Sequence, residues 1–436
     1  METFSAPHGM RDFYPKNFRA REALFTAWRA TAALWGFEPY DSPVVETLEL
    51  LERKAGEEIS GQIYTFEDKS GRKLALRPEL TPSLARMIIA HQGALTFPLK
   101  WSAIGQCFRY ERMQRGRKRE HYQWNLDIVG ESSVMAEVEV IGAAVAVLKR
   151  LGLTSGEVKV RVGSRALLAE LFADSGIGGE HFSACCLALD KRGKISDEEV
   201  AALLKGEGLG PHDIGRVFEL LGMRTLDQVA EKIGDGGSQA IEDLHLLFAL
   251  AGTMGFGDFL TFDLAVIRGL GYYTGIVFEA FDTAGKFRAI FGGGRYDSLL
   301  SSLGGEKMPC VGLGFGDVVV MELLNELGKA PEARRQTDFA VGYMDDPSRA
   351  LAMQAGAAIR KAGRSCDMAL RAEKPRKFFD RANKLGAAWA IYIGPDEAAS
   401  GTFKVKPMAG GEPWPATLAG LPEALAALAE ARRLGE

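Results

Sequence analysis

Between Phe108 and Gly130 the chain reads FRYERMQRGRKREHYQWNLDIVG, a stretch dense in side chains that can do chemistry. Read as strand on both sides of a bend at Met113-Gln114-Arg115-Gly116, its side chains alternate between two faces. Tyr122, Trp124, Leu126 and Ile128 then share an apolar face, and Arg117, Arg119, His121, Gln123, Asn125 and Asp127 a polar one. On the incoming side Phe108 and Tyr110 alternate with Arg109 and Glu111. Arginines near the bend suit a polyphosphate, because each guanidinium is a rigid fork of donors that keeps its charge. A solvated basic hairpin would show the same pattern, so the choice rests on the rest of the chain.

Two further stretches belong to the same inventory. Ile63–Asp68 and Arg72–Arg77 read as a hairpin turning at Lys69-Ser70-Gly71, followed by Pro78-Glu79-Leu80-Thr81 and a helix through His91. Glu79 and Thr81 are either first-turn and capping residues of that helix or contacts to a ligand. Farther on, Arg268-Gly269-Leu270-Gly271-Tyr272-Tyr273-Thr274-Gly275 sets glycines around two tyrosines and an arginine, which implies a close backbone approach or a tight turn. Arginines, glycine-rich loops, acids and tyrosines on an antiparallel sheet suit phosphate activation of a small cationic or polar substrate. Arg109, Arg117 and Arg268 would hold phosphate while charge builds on it, and Glu79 and Asp127 would bind an amine or imidazole.

Other chemistries fit less well. Gly312-x-Gly314-x-Gly316 lacks the spacing of a dinucleotide-binding turn and follows strands that read as antiparallel. No Walker-type Gly-Lys-Ser/Thr run occurs, and the six histidines show no metal-ligand spacing. His121 stands alone on the polar face, where packing is the commoner explanation. Five scattered cysteines without a CxxC pair indicate neither a zinc site nor a disulfide framework and fit a reducing cytoplasm. The start METFSAPHGMRDFYP has no signal-peptide pattern, and no apolar run is long enough for a membrane. With a net charge of -4, any nucleic-acid binding must come from local basic patches.

The supporting elements follow from periodicity. Phe18, Phe25, Trp28, Ala32 and Trp35 form a helical stripe that Gly36 ends, and Pro39 and Pro43 break a strand over Phe37–Val45 into an edge or interface element. Ser133–Leu151 is a helix and Val158–Val162 a strand; residues from 163 to about 255 are helical, with glycine breaks at Gly176–Gly179 and Gly234–Gly237 and no polar constellation. Strands are expected at Phe259–Val266, Ile276–Phe281 and Phe287–Phe291, the last ending in a loop, Gly292-Gly293-Gly294-Arg295-Tyr296-Asp297; a helix to Leu327 follows Asp317. After a polar linker at residues 329–337, Phe339–Tyr343, Ser348–Ala362, Cys366–Leu370, Pro375–Leu385 and Ala388–Ile393 alternate as β-α-β-α-β, a separate α/β unit with parallel strands. Arg371, Lys374, Arg376, Lys377, Arg381 and Lys384 cluster on and before its second helix, a solvated face or one that meets a phosphate backbone.

On these residues the sequence resembles the histidyl-tRNA synthetase family of class II aminoacyl-tRNA synthetases, over nearly the whole chain. SPVVE around Pro43 is similar to the family's dimer-interface motif, FRYERMQRGRKREHYQ to its second motif, RGLGYYTG to its histidine signature, and GGGRYD with Val311–Asp317 to the lead-in and third motif. The resemblance implies an α+β fold: an antiparallel catalytic domain at 1–328 with a helical insertion, and an anticodon-binding α/β domain at 338–436. It implies ATP and Mg2+, L-histidine and tRNA(His) as ligands, and a homodimer. Arg109 would contact the α-phosphate and the substrate carboxylate, Glu111 the adenine, Arg117 the terminal phosphates, and Arg268 the charge developing at the α-phosphate. Glu79, Thr81 and Gln123 would hold the α-amino group, and Asp127 and Tyr273 would read the imidazole with Tyr272 alongside.

The segment GLGFGDVVVMELL departs from the pattern. Val318, Val319 and Val320 stand where the third motif carries an arginine that packs on adenine and meets the γ-phosphate. A second reading is therefore a synthetase-like regulatory subunit of ATP phosphoribosyltransferase, which resembles the chain less because it lacks an anticodon-binding domain and tends to lose motif arginines.

Overall fold

The structure, a computed structural model, describes residues 4–53, 61–192, 195–233, 237–268, 272–331 and 337–426. The centre of the histidine-like signature (269–271), most of the expected linker (332–336), part of one glycine break (234–236) and residues 427–436 lie outside the described residues. Contacts divide the chain into two units, Met1–Tyr14 with Ala20–Pro331, and Pro15–Arg19 with Glu332–Glu436.

In chain order the first unit's strands are β1 (Glu38–Pro39), β2 (Val45–Thr47), β3 (Tyr64–Glu67), β4 (Lys73–Leu76), β5 (Leu99–Phe108), β6 (Glu120–Val129), β7 (Val158–Ser164), β8 (Leu260–Phe262), β9 (Ile276–Asp282), β10 (Phe291–Arg295) and β11 (Cys310–Gly316). Eight of them form one sheet in the order β1-β5-β6-β11-β10-β9-β7-β8, antiparallel except for its two outer pairs; β2, β4 and β3 form a small separate sheet. The proline-broken run 37–45 becomes β1 at the sheet edge and β2 in the small sheet, since a proline cannot donate to a ladder on both sides.

Alternation in β6 decides which face is buried. Trp124, Leu126 and Ile128 join the main core beneath the sheet, together with Leu24, Phe25 and Trp28 of helix Pro15–Leu34 and the inward residues of helix Met135–Arg150. Trp28 and Trp124 stack with ring centroids 6.0 Å apart, which pins the helix to the second-motif strand. Register matters here, because a slip by one residue would put the tryptophan in the cleft and Asn125 in the core.

Three expectations are corrected. The hairpin does not run through the bend: β5 stops at Phe108 and β6 resumes at Glu120. Residues 109–119 are a loop closed by a bridge between Gln114 and Arg117, as fits five arginines and a lysine whose only apolar neighbours, Tyr110 and Met113, stay exposed. The strand expected at 287–291 begins only at Phe291 and continues through the triple glycine, paired on both sides. Locally Gly292–Gly294 reads as a turn, but tertiary crowding demands it in strand, as described below. Finally, the stretch expected as one strand from Phe259 to Val266 is only three residues long.

The second unit holds β12 (Thr337–Tyr343), β13 (Cys366–Met368), β14 (Ala387–Ile393), β15 (Thr402–Pro407) and β16 (Trp414–Thr417), in the order β13-β12-β14-β15-β16. The first three are parallel, as the β-α-β-α-β alternation implies, and two antiparallel strands that the sequence reading did not foresee extend the sheet. Both faces of β12 are covered: Phe339 and Val341 pack beside Ile359 of one helix, and Ala340 beside Phe378 of the other. Of the basic cluster, Arg381 is neutralised within the domain by Asp367 and by Glu373 at 3.0 Å, while Arg371, Lys374, Arg376, Lys377 and Lys384 are exposed.

Candidate active site

The uncovered face of the large sheet floors a cleft of about 1090 Å³ lined by Glu79, Thr81, Arg109, Glu111, Arg117, Gln123, Arg268, Tyr272 and Tyr273. Asp127 lies behind its wall, against Tyr296 and Gly312. The floor is made of glycine for a steric reason. A Cβ on Gly292 would lie 1.8 Å from Arg268 Nη1, and one on Gly312 would lie 2.0 Å from Asp127 Oδ1. In β11 the glycines at 312, 314 and 316 face the cleft while Val311, Leu313 and Phe315 face the core. The GxGxG tract is thus a strand with one side stripped bare rather than a phosphate-binding turn.

Glu79 and Thr81 do not cap their helix. Its N-cap is Leu80, with no side-chain cap bond, and both polar residues turn into the cleft. Glu79 is 5% exposed and accepts a hydrogen bond from the Tyr272 hydroxyl at 3.0 Å. Burial raises its carboxyl above the ordinary range, and the nearby Arg109 and Arg268 oppose the rise. The Tyr272 and Tyr273 rings sit 4.9 Å apart, and Arg268 lies 5.5 Å over the Tyr273 ring.

Asp127 is 1% exposed and accepts a hydrogen bond from the Tyr296 hydroxyl at 2.5 Å. Burial pushes its carboxyl up to about 7, against the hydrogen bonds of Tyr296 and Asn125. Its second oxygen, Oδ2, has no partner among the described residues. Gln123 donates to Asn125 Oδ1 at 2.7 Å and lies 3.3 Å from His121 Nε2. Burial, with the repulsion of Arg109, pushes His121 down to about 3, so at neutral pH its imidazole is uncharged.

The arginines divide by partner. Arg109 donates from Nε to the Pro78 carbonyl at 2.9 Å, and Arg117 pairs with Glu111 at 2.6 Å. Arg268 lies 3.8 Å from Glu279, and its Nη1 has no partner among the described residues. It is the one non-glycine residue with positive φ (57°) among those described, a costly conformation of a kind that collects at functional sites.

Sequence reasoning missed several cleft residues. Tyr296, in GGGRYD, and His121, alone on the polar face of its strand, carry no sequence signal of a role, yet both line the cleft. The helical stretch was read as devoid of polar constellations, yet Arg192 and Arg224 line the cleft, with Arg224 3.9 Å and Arg161 3.5 Å from Asp263. No spacing signal could reveal that cluster, because its members come from different elements. Val318 and Val319, on the first turn of helix Asp317–Glu326, do line the cleft, so the third motif contributes no cation there.

A largely antiparallel sheet that floors a cleft edged by Glu79, Arg109 and Arg268, in a chain that also carries a small α/β domain, is the architecture of a class II aminoacyl-tRNA synthetase. The model of a family described as histidyl-tRNA synthetase matches residues 9–316, and that of an anticodon binding domain matches 338–428. A histidine–tRNA ligase, chloroplastic/mitochondrial, of Arabidopsis thaliana is 44% identical, covering 95% of this chain and 85% of its own length. A solved histidyl-tRNA synthetase from Nostoc superposes with TM-score 0.80 at 25% identity, covering 98% and 99%. A solved ATP phosphoribosyltransferase regulatory subunit/histidyl-tRNA synthetase from Bacillus halodurans gives 0.73 at 23%, covering 90% and 100%, a likeness of fold alone. The chain belongs to the histidyl-tRNA synthetase family.

Proposed function

We propose that the cleft activates L-histidine with ATP and that the chain, a histidine–tRNA ligase, then passes the acyl group to the 3′ end of tRNA(His). The observation that carries this reading is the meeting of buried Glu79 with Arg109 and Arg268 at one cleft, with buried Asp127 directly behind its wall. Arg109 and Arg268 oppose the protonation of buried Glu79, and the ionised carboxylate is an acceptor for an ammonium, so Glu79, Thr81 and Gln123 take the α-amino group. Asp127 Oδ2, the oxygen without a partner, accepts from an imidazole N–H, with Tyr273 on the ring and Tyr272 holding Glu79.

The histidine carboxylate oxygen attacks the α-phosphorus, the bond to the bridging oxygen breaks, and pyrophosphate leaves with its electron pair. Negative charge grows on the α-phosphate oxygens. Arg109 and Arg268 are placed beforehand to stabilise it, which is the efficient way to lower such a barrier. Glu111 takes the adenine and Arg117 the terminal phosphates, so their mutual ion pair must open when ATP arrives. Mg2+ would accompany the ATP and neutralise part of its phosphate charge.

We assign the catalytic role to residues 1–328, a linker role to 329–337 and the anticodon contact to 338–436, where Arg371, Lys374, Arg376, Lys377 and Lys384 offer phosphate contacts. Exposed Val45 and Phe66 on the small sheet, with exposed Val44 just before it, support a homodimer through that region. No helix among the described residues is long and apolar enough to cross a membrane, and the cysteines are free, in keeping with a reducing compartment such as the cytoplasm. The regulatory-subunit reading is disfavoured by the anticodon domain and the retained arginines. Charging of tRNA(His) transcript with labelled histidine tests the reading; failure to charge while histidine still binds would favour the regulatory alternative.

A further inference from the structure

The third motif presents Val318 and Val319 to the cleft, so a second cation to join Arg117 at the far end of a triphosphate must come from elsewhere. Most cations of the cleft are committed. Arg117, paired with Glu111 until ATP arrives, and Arg268 are assigned above, Arg161 and Arg224 are held by Asp263, and Arg192 by Asp197 at 3.0 Å. Arg109 is assigned above to the α-phosphate. Among the described residues, Arg288 and Lys118 also line the cleft, and neither forms an ion pair there.

Arg288 is the better placed of the two. It enters from the segment before β10, and its Nη2 donates to Gln114 Oε1 at 2.9 Å, reaching the bend of the second motif from the opposite side of the cleft. That amide orients the guanidinium without neutralising it and leaves most of its five donors uncommitted. The segment before it is fixed. Lys286 and Phe287 donate their backbone N–H groups to Asp282 at 2.8 and 2.9 Å. Arg115 stacks 4.6 Å over Phe287, and Glu326 binds both Arg115 and Lys286. Arg115 and Lys286 are thereby spent on holding the second-motif bend to the Arg288 segment, while Arg288 itself stays available. A preoriented guanidinium with free donors is suited to phosphate oxygens, which it can grip with two parallel bonds.

We propose that Arg288 binds the β- and γ-phosphates of ATP, in the role that the third-motif arginine fills elsewhere in the family. This rests on the ATP-dependent reading above. The test is full-length protein bearing Arg288→Ala, Arg288→Lys or Lys118→Ala, assayed by ATP–pyrophosphate exchange and by binding of a non-hydrolysable histidyl-adenylate analogue, which lacks those two phosphates. Arg288→Ala is expected to raise the KM for ATP roughly tenfold or more. The KM for histidine and the affinity for the analogue stay unchanged, and Arg288→Lys recovers part of the loss. Unchanged ATP kinetics in Arg288→Ala, an equal loss of analogue affinity, or a loss found only in Lys118→Ala would each overturn the proposal. A wild-type chain with no histidine-dependent exchange would overturn both this inference and the reading beneath it.

Discussion

The Tyr296 hydroxyl lies 2.5 Å from Asp127 Oδ1, on a tyrosine 169 residues away in sequence, and leaves Oδ2 as the free oxygen of a buried carboxyl. This bond favours the ionised form and works against the burial that pushes Asp127 up to about 7. Removing the donor therefore raises the pKa further. Tyr296→Phe is expected to raise the KM for histidine about 5- to 30-fold at neutral pH, from a loss of about 1–2 kcal/mol. The acid limb of its pH profile should move to higher pH, so alkaline buffer restores part of the affinity. Histidine KM measured from pH 6 to 9 checks this.

Asp127 also makes stability depend on pH. Its folded value, about 7, exceeds the ordinary aspartate value of 3.8, so the folded state binds a proton that the unfolded chain has lost. The contribution is fully present below about pH 4, falls as pH rises to about 7, and is then flat. Its size is on the order of 4 kcal/mol at most. Asp127→Asn should therefore gain on the wild type across that window in ligand-free melting experiments. A constant difference in Tm from pH 4 to 8 would contradict the buried carboxyl.

Arg295 grips Glu137 with two bonds of 2.7 Å and also donates to the carbonyls of Glu131 and Ser133, tying β10 to the start of helix Met135–Arg150. Glu137 is fully buried, so Arg295→Ala strands a charge and should cost about 3–5 kcal/mol in urea unfolding. The double change Glu137→Leu with Arg295→Met should cost much less, because no charge is left unpaired.

Gly292→Ala tests the bare floor of the cleft. Its new methyl would occupy the place of Arg268 Nη1, so the guanidinium must shift. Exchange activity is expected to fall roughly 100-fold, as follows from displacing a catalytic group by about 1 Å. Melting temperature should change little, since an arginine side chain, unlike a packed ring, can move aside.

What the sequence disclosed follows the range of its signals. Period-two alternation from Tyr122 to Ile128 sets the two faces of β6, and the helix Thr81–His91 has the extent read from its residues, because both signals are local. The triple glycine misled for a related reason. Glycine reads locally as turn, and only distant atoms, Arg268 Nη1 at Gly292, the Gly312 carbonyl at Gly293 and the Ile276 carbonyl at Gly294, explain why a strand there must lack Cβ atoms. Arg288, Arg224 and Tyr296 stood out in no window, for each acts through partners on other elements. Their roles are set by topology, which brings β10, β11 and the second-motif loop to one cleft.

Histidine-dependent ATP–pyrophosphate exchange, run on the wild-type chain and on Arg268→Ala, bears most directly on the central claim. The account predicts robust exchange that needs histidine and no other amino acid, and that falls at least 100-fold in the variant, whose transition-state charge has lost a preplaced cation. Absence of exchange in the wild type, or full exchange in Arg268→Ala, would contradict it.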